Sequence, residues 1–180
     1  YPIGFDLHST WGVENNFNLL FDQKIIVTEK INKLLNLRRD FIDKKDTIFC
    51  DVHLSESRKF NNERRRVKKI LNNFDKMEFL YSRISQEDIW EKYASHKFVI
   101  STFGNGLDCH RTWEVLFLGG IVITKNSSLN PLYKNLPVVL VDDWDEVMID
   151  GNLEKWEKKY SELTKPEHIN KFFKYDYWIN

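Results

Sequence analysis

The sequence predicts an α/β chain built on a Rossmann-like, doubly wound and mostly parallel sheet. Three observations predict it. Apolar strand-like runs alternate with helix-like stretches at intervals of roughly 20–25 residues, the rhythm of right-handed βαβ crossovers. The run Pro137-Val138-Val139-Leu140-Val141 is apolar throughout, as suits a strand covered on both faces. Between the run ending Phe98-Val99-Ile100-Ser101 and a helical pattern starting near His110 lies a loop with two glycines, Gly104 and Gly106.

Taken in order, residues 1–46 form an opening segment and a helix. Tyr1 to His8 read as extended chain, and Glu14-Asn15-Asn16 is a polar break. Ile31, Leu34, Leu35 and Leu37 suggest a helix over about 23–42. Thr47 to His53 read as a buried strand with a polar end. In Arg64 to Phe74, Val67, Ile70, Leu71 and Phe74 recur at i, i+3, i+4 and i+7, an amphipathic basic helix. Met77 to Leu80 is a short strand. Ser85 is placed to cap a helix, with Asp88 at the capping-box position. A strand over 97–101, a helix over 110–118 and strands over 121–124 and 137–141 follow. Helices are expected over 144–148, 152–163 and 166–178, the last with Pro166 in its first turn.

A length of 180 residues fits one domain able to bury a core without staples. The 27 basic residues balance 27 acidic ones, so no overall field argues for nucleic acid or a membrane surface. Cys50 and Cys109 define no disulfide framework and stand in no CxxC pair. No apolar run approaches the roughly 20 residues of a membrane span, and no signal peptide is evident. These features favour a cytosolic compartment, although the chain opens on Tyr1 rather than Met. That opening is expected of a piece of something longer, and a missing N-terminus could hold a membrane anchor.

The stretch from Ser101 to Glu114 carries the chemistry. A strand end, a glycine loop and a helix start together form an anion site, because the first N–H groups and the positive dipole end point outward. Arg111 adds a cation. The reading assigns Ser101, Gly104, Asn105, Gly106, His110 and Arg111 to a phosphate or diphosphate, and Glu114, one turn on, to a ribose diol. His53, Ser101 to Asp108 and Asp142-Asp143 fall at strand carboxyl ends, where such sheets bind ligands. A glycine loop that merely joins strand to helix is the alternative.

With those residues in view, the chain resembles the donor-binding, C-terminal half of a GT-B glycosyltransferase of the exostosin-like kind. The resemblance is best over 97–147: His110, Arg111, Glu114 and Val115 stand where that family has a Ser-x-Arg-x-x-Glu-Ala helix. Gly120-Ile121-Val122-Ile123 stands for its Gly-Cys-Ile-Pro-Val strand. Val115 replaces a small Ala, and Val122 stands where Pro is common. The resemblance implies a nucleotide-diphosphate sugar as donor and a glycan or other hydroxyl as acceptor. It also implies a separate N-terminal domain, outside this chain, that completes the enzyme and commonly holds the base. Arg111 would contact the diphosphate, Glu114 the ribose, and Gly104 to Gly106 would floor the pocket. No cofactor and no metal is expected, since a helix start and an arginine can take up charge on a departing diphosphate.

Other features have two readings each. Asp143-Trp144-Asp145 is either a metal-diphosphate motif or a helix cap, and the cap is favoured. Seven cations fall within residues 58–69; most read as a solvated helix face rather than a nucleic-acid surface, while Arg58 or Arg64 could reach the phosphates. His110 and Asp108 are weak candidates for a general base. Alternatively His110 is structural and Asp108 is the N-cap. Trp113 reads as core rather than a base-stacking ring, and the five histidines show no metal-type pair. A non-catalytic interaction domain with a retired donor pocket is the competing function.

Overall fold

The computed structural model describes residues 21–52, 61–104 and 106–178. Expectations that fall on Tyr1 to His8, Glu14 to Asn16, His53, Arg58 and Asn105 therefore lie outside the described residues. Helix α1 (Phe21–Leu37) leads into strand β1 (Lys45–Cys50), followed by α2 (Asn61–Leu71) and β2 (Met77–Phe79). Next come α3 (Gln86–Ser95), β3 (His96–Ile100), α4 (His110–Phe117), β4 (Ile121–Lys125) and β5 (Val138–Val141). Helices α5 (Asn152–Tyr160) and α6 (Pro166–Ile169) follow, and 3-10 turns carry the chain on to Trp178.

The five strands form one sheet in the order β2-β1-β3-β4-β5, and every pairing is parallel. The α/β, doubly wound and Rossmann-like expectation thus holds. Alternation along the strands separates the two faces. Phe49, Val99, Val122 and Val138 pack with Leu34, Trp90, Trp113, Leu116 and Phe172 from α1, α3, α4 and the C-terminal turns. Their neighbours Ile48, Cys50, Phe98, Ile100, Ile121, Ile123, Val139 and Val141 pack with Val67, Leu71, Trp144, Leu153 and Trp156 from α2, α5 and the turn before α5. Both faces being apolar explains why Ile121 to Ile123 of β4 and all of β5 read as hydrophobic runs.

Several boundaries differ from expectation for local reasons. The stretch 144–148 is a 3-10 turn, Trp144–Met148. The helix expected over 152–163 is α-helical only to Tyr160 and tightens to 3-10 over Ser161–Thr164. Lys165 is then extended (φ −62°, ψ 143°), as a residue before proline is pushed to be. The helix expected over 166–178 breaks into α6 and two 3-10 turns, Asn170–Phe173 and Tyr175–Trp178, with Lys174 extended between them. This broken path seats Ile169 and Phe172 in the core. Ser85 caps α3 as foreseen, accepting from the Asp88 N–H at 3.1 Å. Gly119 sits at φ 77°, with backbone oxygens of Arg39 and Thr164 close to where a Cβ would stand. Only glycine takes that left-handed turn from α4 into β4 without strain.

Candidate functional site

The strand order places a topological switch point between β1 and β3. From β1 the chain winds outward to β2, then returns to the other side of β1 for β3 and continues to β5. In open parallel sheets the crevice beyond the carboxyl ends at such a point is the ligand position. Two segments meet there: Asp51 and Val52 after β1, and the loop from Ser101 to Cys109 between β3 and α4.

The described residues of the loop are tightly held. Ser101 donates its N–H to the Ile123 carbonyl at 2.9 Å, and its hydroxyl lies 2.8 Å from that of Thr112 on α4. The Thr102 carbonyl accepts from the Cys109 thiol and from Arg111 Nη1, each at 3.4 Å. Thr102 Oγ1 is buried and makes no hydrogen bond. Gly104 donates its N–H to the Gly106 carbonyl at 3.0 Å. A Cβ on Gly104 would stand 2.9 Å from Cys109 Sγ, so any larger residue there forces the thiol to shift. Gly106, by contrast, is exposed, and a Cβ there would have nothing within 4 Å.

At the start of α4, Cys109 is the N-cap (φ −135°, ψ 137°) and offers the first turn no side-chain acceptor. The cap reading of Asp108 is thereby corrected by one position. Its Oδ1 accepts from the Cys109 N–H at 2.9 Å and from the Trp113 indole N–H at 2.8 Å, so it ties the loop to the helix from just outside it. Trp113 is fully buried, in line with the core reading. His110 opens α4 in a half-buried position, and Glu114, one turn on, is 5 % exposed among the packed residues of that helix.

Arg111 reaches back to the end of β1. Its Nε lies 2.5 Å from Asp51 Oδ1, with the arginine side chain 11 % and the aspartate side chain 5 % exposed. The two atoms meet as charges without hydrogen-bond alignment. The Tyr93 hydroxyl donates to the other oxygen, Asp51 Oδ2, at 2.8 Å. Burial opposes the arginine's charge, but the Asp51 carboxylate outweighs it and drives the Arg111 pKa well above its ordinary value. Burial, followed by the Asp51 charge, raises that of Tyr93. Arg64 of α2, 2 % exposed, donates from Nε to the Phe103 carbonyl at 3.1 Å. Of the basic run, Arg64 therefore joins the loop, while Arg66 pairs with Asp143 and Lys68 lies 5.0 Å over the Tyr81 ring. Burial pushes the Cys50 thiol up to about 12, and it raises that of Cys109 as well. Both stay protonated, as befits packing groups rather than nucleophiles.

Asp143 caps the turn after β5. Its side chain accepts from the Trp144 N–H at 2.7 Å, while Glu146 accepts from the Asp143 N–H at 2.9 Å, a complete capping box. Among the described residues no three His, Cys, Asp or Glu side chains gather as metal ligands.

The structure thus brings Ser101, Gly104, Gly106, Asp108, His110 and Arg111 to one strand–loop–helix junction. It adds two residues that sequence reasoning did not assign to it, Asp51 and Tyr93. An acidic residue directly after the apolar run Ile48-Phe49-Cys50 was the available signal for Asp51. Tyr93 carried none, since its contact depends on how α3 lies across the sheet. A scan of protein-family models finds no match to this chain, and a search of curated proteins finds none either.

Proposed function

We propose that the chain is a glycosyltransferase domain that binds a nucleotide-diphosphate sugar at the β1/β3 switch point. Its sugar is destined for a glycan or other hydroxyl acceptor. The observation that carries this reading is the loop Ser101–Cys109 feeding α4 at that crevice, with Arg111 immediately inside the helix. Cleavage of a sugar–diphosphate bond leaves growing negative charge on the departing group. An arginine and a helix start already in position stabilise that charge without reorganising. The exostosin-like, GT-B resemblance of residues 97–147 points to the same chemistry, and in that arrangement a second domain supplies the acceptor side.

A second reading, an interaction domain with a retired donor pocket, draws on the engagement of Arg111 by Asp51 and the burial of Glu114. A thermal-shift panel of UDP, GDP, ADP and CDP, with and without divalent cation, separates the two. Stabilisation by one diphosphate supports the donor site and names its nucleotide. A flat response to all four, at millimolar concentration, supports the retired pocket.

A further inference from the structure

We infer that Asp51 and Tyr93 are positioning residues for an anion-binding Arg111, so that the diphosphate is read by a guanidinium fixed from the neighbouring strand; this rests on the donor-site reading above. Arg111 enters the crevice from the first turn of α4, and a long flexible side chain at that place has many rotamers. Two contacts remove that freedom. Nε is pinned against Asp51 Oδ1 at 2.5 Å, and Nη1 donates to the Thr102 carbonyl at 3.4 Å. Nε and Nη1 are thereby both engaged, and a guanidinium held in one plane suits planar recognition of phosphate oxygens.

Asp51 is held in turn. The Tyr93 hydroxyl donates to Oδ2 at 2.8 Å, and the Tyr93 ring packs edge-on against Phe49 at 6.0 Å between centroids. Phe49 lies within β1 and Tyr93 within α3. The chain of contact runs from the sheet core through Tyr93 and Asp51 to Arg111, and so to the loop carbonyl of Thr102. Orientation by a supporting shell of this kind decides whether a charged group meets its ligand in the productive geometry.

The test is a double-mutant cycle on the dissociation constant of the stabilising nucleoside diphosphate, with inorganic pyrophosphate as a second probe. Asp51→Ala is expected to weaken both at least tenfold. In an Arg111→Ala background the same change is expected to alter affinity less than twofold, because there is no guanidinium left to position. Asp51→Asn keeps the shape but removes the charge that meets Nε, and should recover little of the loss. Tyr93→Phe deletes one hydroxyl, keeps the ring packing and should cost about threefold; it serves if the alanine variant does not fold. A purely structural Asp51 would lower the melting temperature and leave the dissociation constants within twofold, and that result overturns the inference. Additive losses in the cycle also overturn it. If the wild-type protein binds neither diphosphate nor pyrophosphate, the donor-site reading fails and the inference falls with it.

Discussion

Replacing Lys44 by methionine tests the packing that supports the sheet, and its size follows from the geometry. Lys44 directly precedes β1 and is 5 % exposed. Its Nζ donates to the Ala94 carbonyl at 2.5 Å and to the Leu118 carbonyl at 2.8 Å. One amine therefore closes the carboxyl ends of both α3 and α4, where carbonyls lack helical partners. Burial first, then the charges of Arg39 and Arg38, push its pKa from 10.5 down to about 7 against the pull of Glu91. Between those two values the folded state holds fewer protons than the unfolded chain, so stability rises with pH across the window. At about 1.4 kcal/mol per pKa unit, this one group adds about 3 kcal/mol between pH 7 and pH 9.5. Lys44→Met keeps the length and removes the titration. The stability difference between wild type and variant, from urea unfolding at the two pH values, should shift by that amount in favour of wild type at pH 9.5. The other titrating groups cancel in the comparison. A difference that stays within about 0.5 kcal/mol at both pH values refutes a buried, largely neutral amine. Lys44 lies at the amino ends of the strands, away from the candidate site, so nucleotide affinity should be unchanged.

Three further outcomes follow from particular contacts. Gly104→Ala puts a Cβ 2.9 Å from Cys109 Sγ and should destabilise by about 1–3 kcal/mol in thermal unfolding; adding Cys109→Ala should recover most of that loss. Burial raises the Glu78 carboxyl, but hydrogen bonds from Lys92 and His96 outweigh it and bring it down to about 2. A lowered folded-state value gives stability that is present above the ordinary carboxylate range and lost as pH falls toward 2. Glu78→Gln should therefore flatten the acid limb of the stability profile, and an unaltered limb would show that this carboxylate does not contribute. Asp143→Ala removes a cap and should cost about 1 kcal/mol, with no change in any divalent-cation response of nucleotide binding; a lost cation response would restore the metal reading of Asp143-Trp144-Asp145.

Much of the fold was legible because its signals are local. Ile121 to Thr124 and Val138 to Val141 are apolar on both sides of the pleat, and a sheet with two covered faces writes itself as such runs. Ser85 and Asp143 announce their caps through the residues that follow them. The C-terminal region was not legible in the same way. Its apolar residues suit a helical period, but Lys165 is turned by Pro166 and Lys174 is extended, so the chain descends in short turns. The site divides along the same line. The loop, its glycines and Arg111 stand together in the sequence, so the candidate junction can be read from it. The partners of Arg111 do not: Asp51 comes from a strand sixty positions earlier, brought to it by the pairing of β1 with β3, and Tyr93 reaches Asp51 from α3. Sequence reasoning accordingly gave Arg111 to the ligand alone, whereas in the structure it is first an ion pair with Asp51. Likewise Glu114, read as a ribose acceptor from its spacing, lies in a buried stretch of α4.

The most direct measurement is a calorimetric titration of UDP, GDP, ADP and CDP into the wild-type chain and into Arg111→Ala, with Lys44→Met as a control distant from the crevice. A donor site at the β1/β3 switch point requires that one diphosphate bind the wild type and Lys44→Met alike and that Arg111→Ala bind it much more weakly. Equal affinity in Arg111→Ala, or no heat from any of the four with the wild type, would contradict a diphosphate site at this crevice.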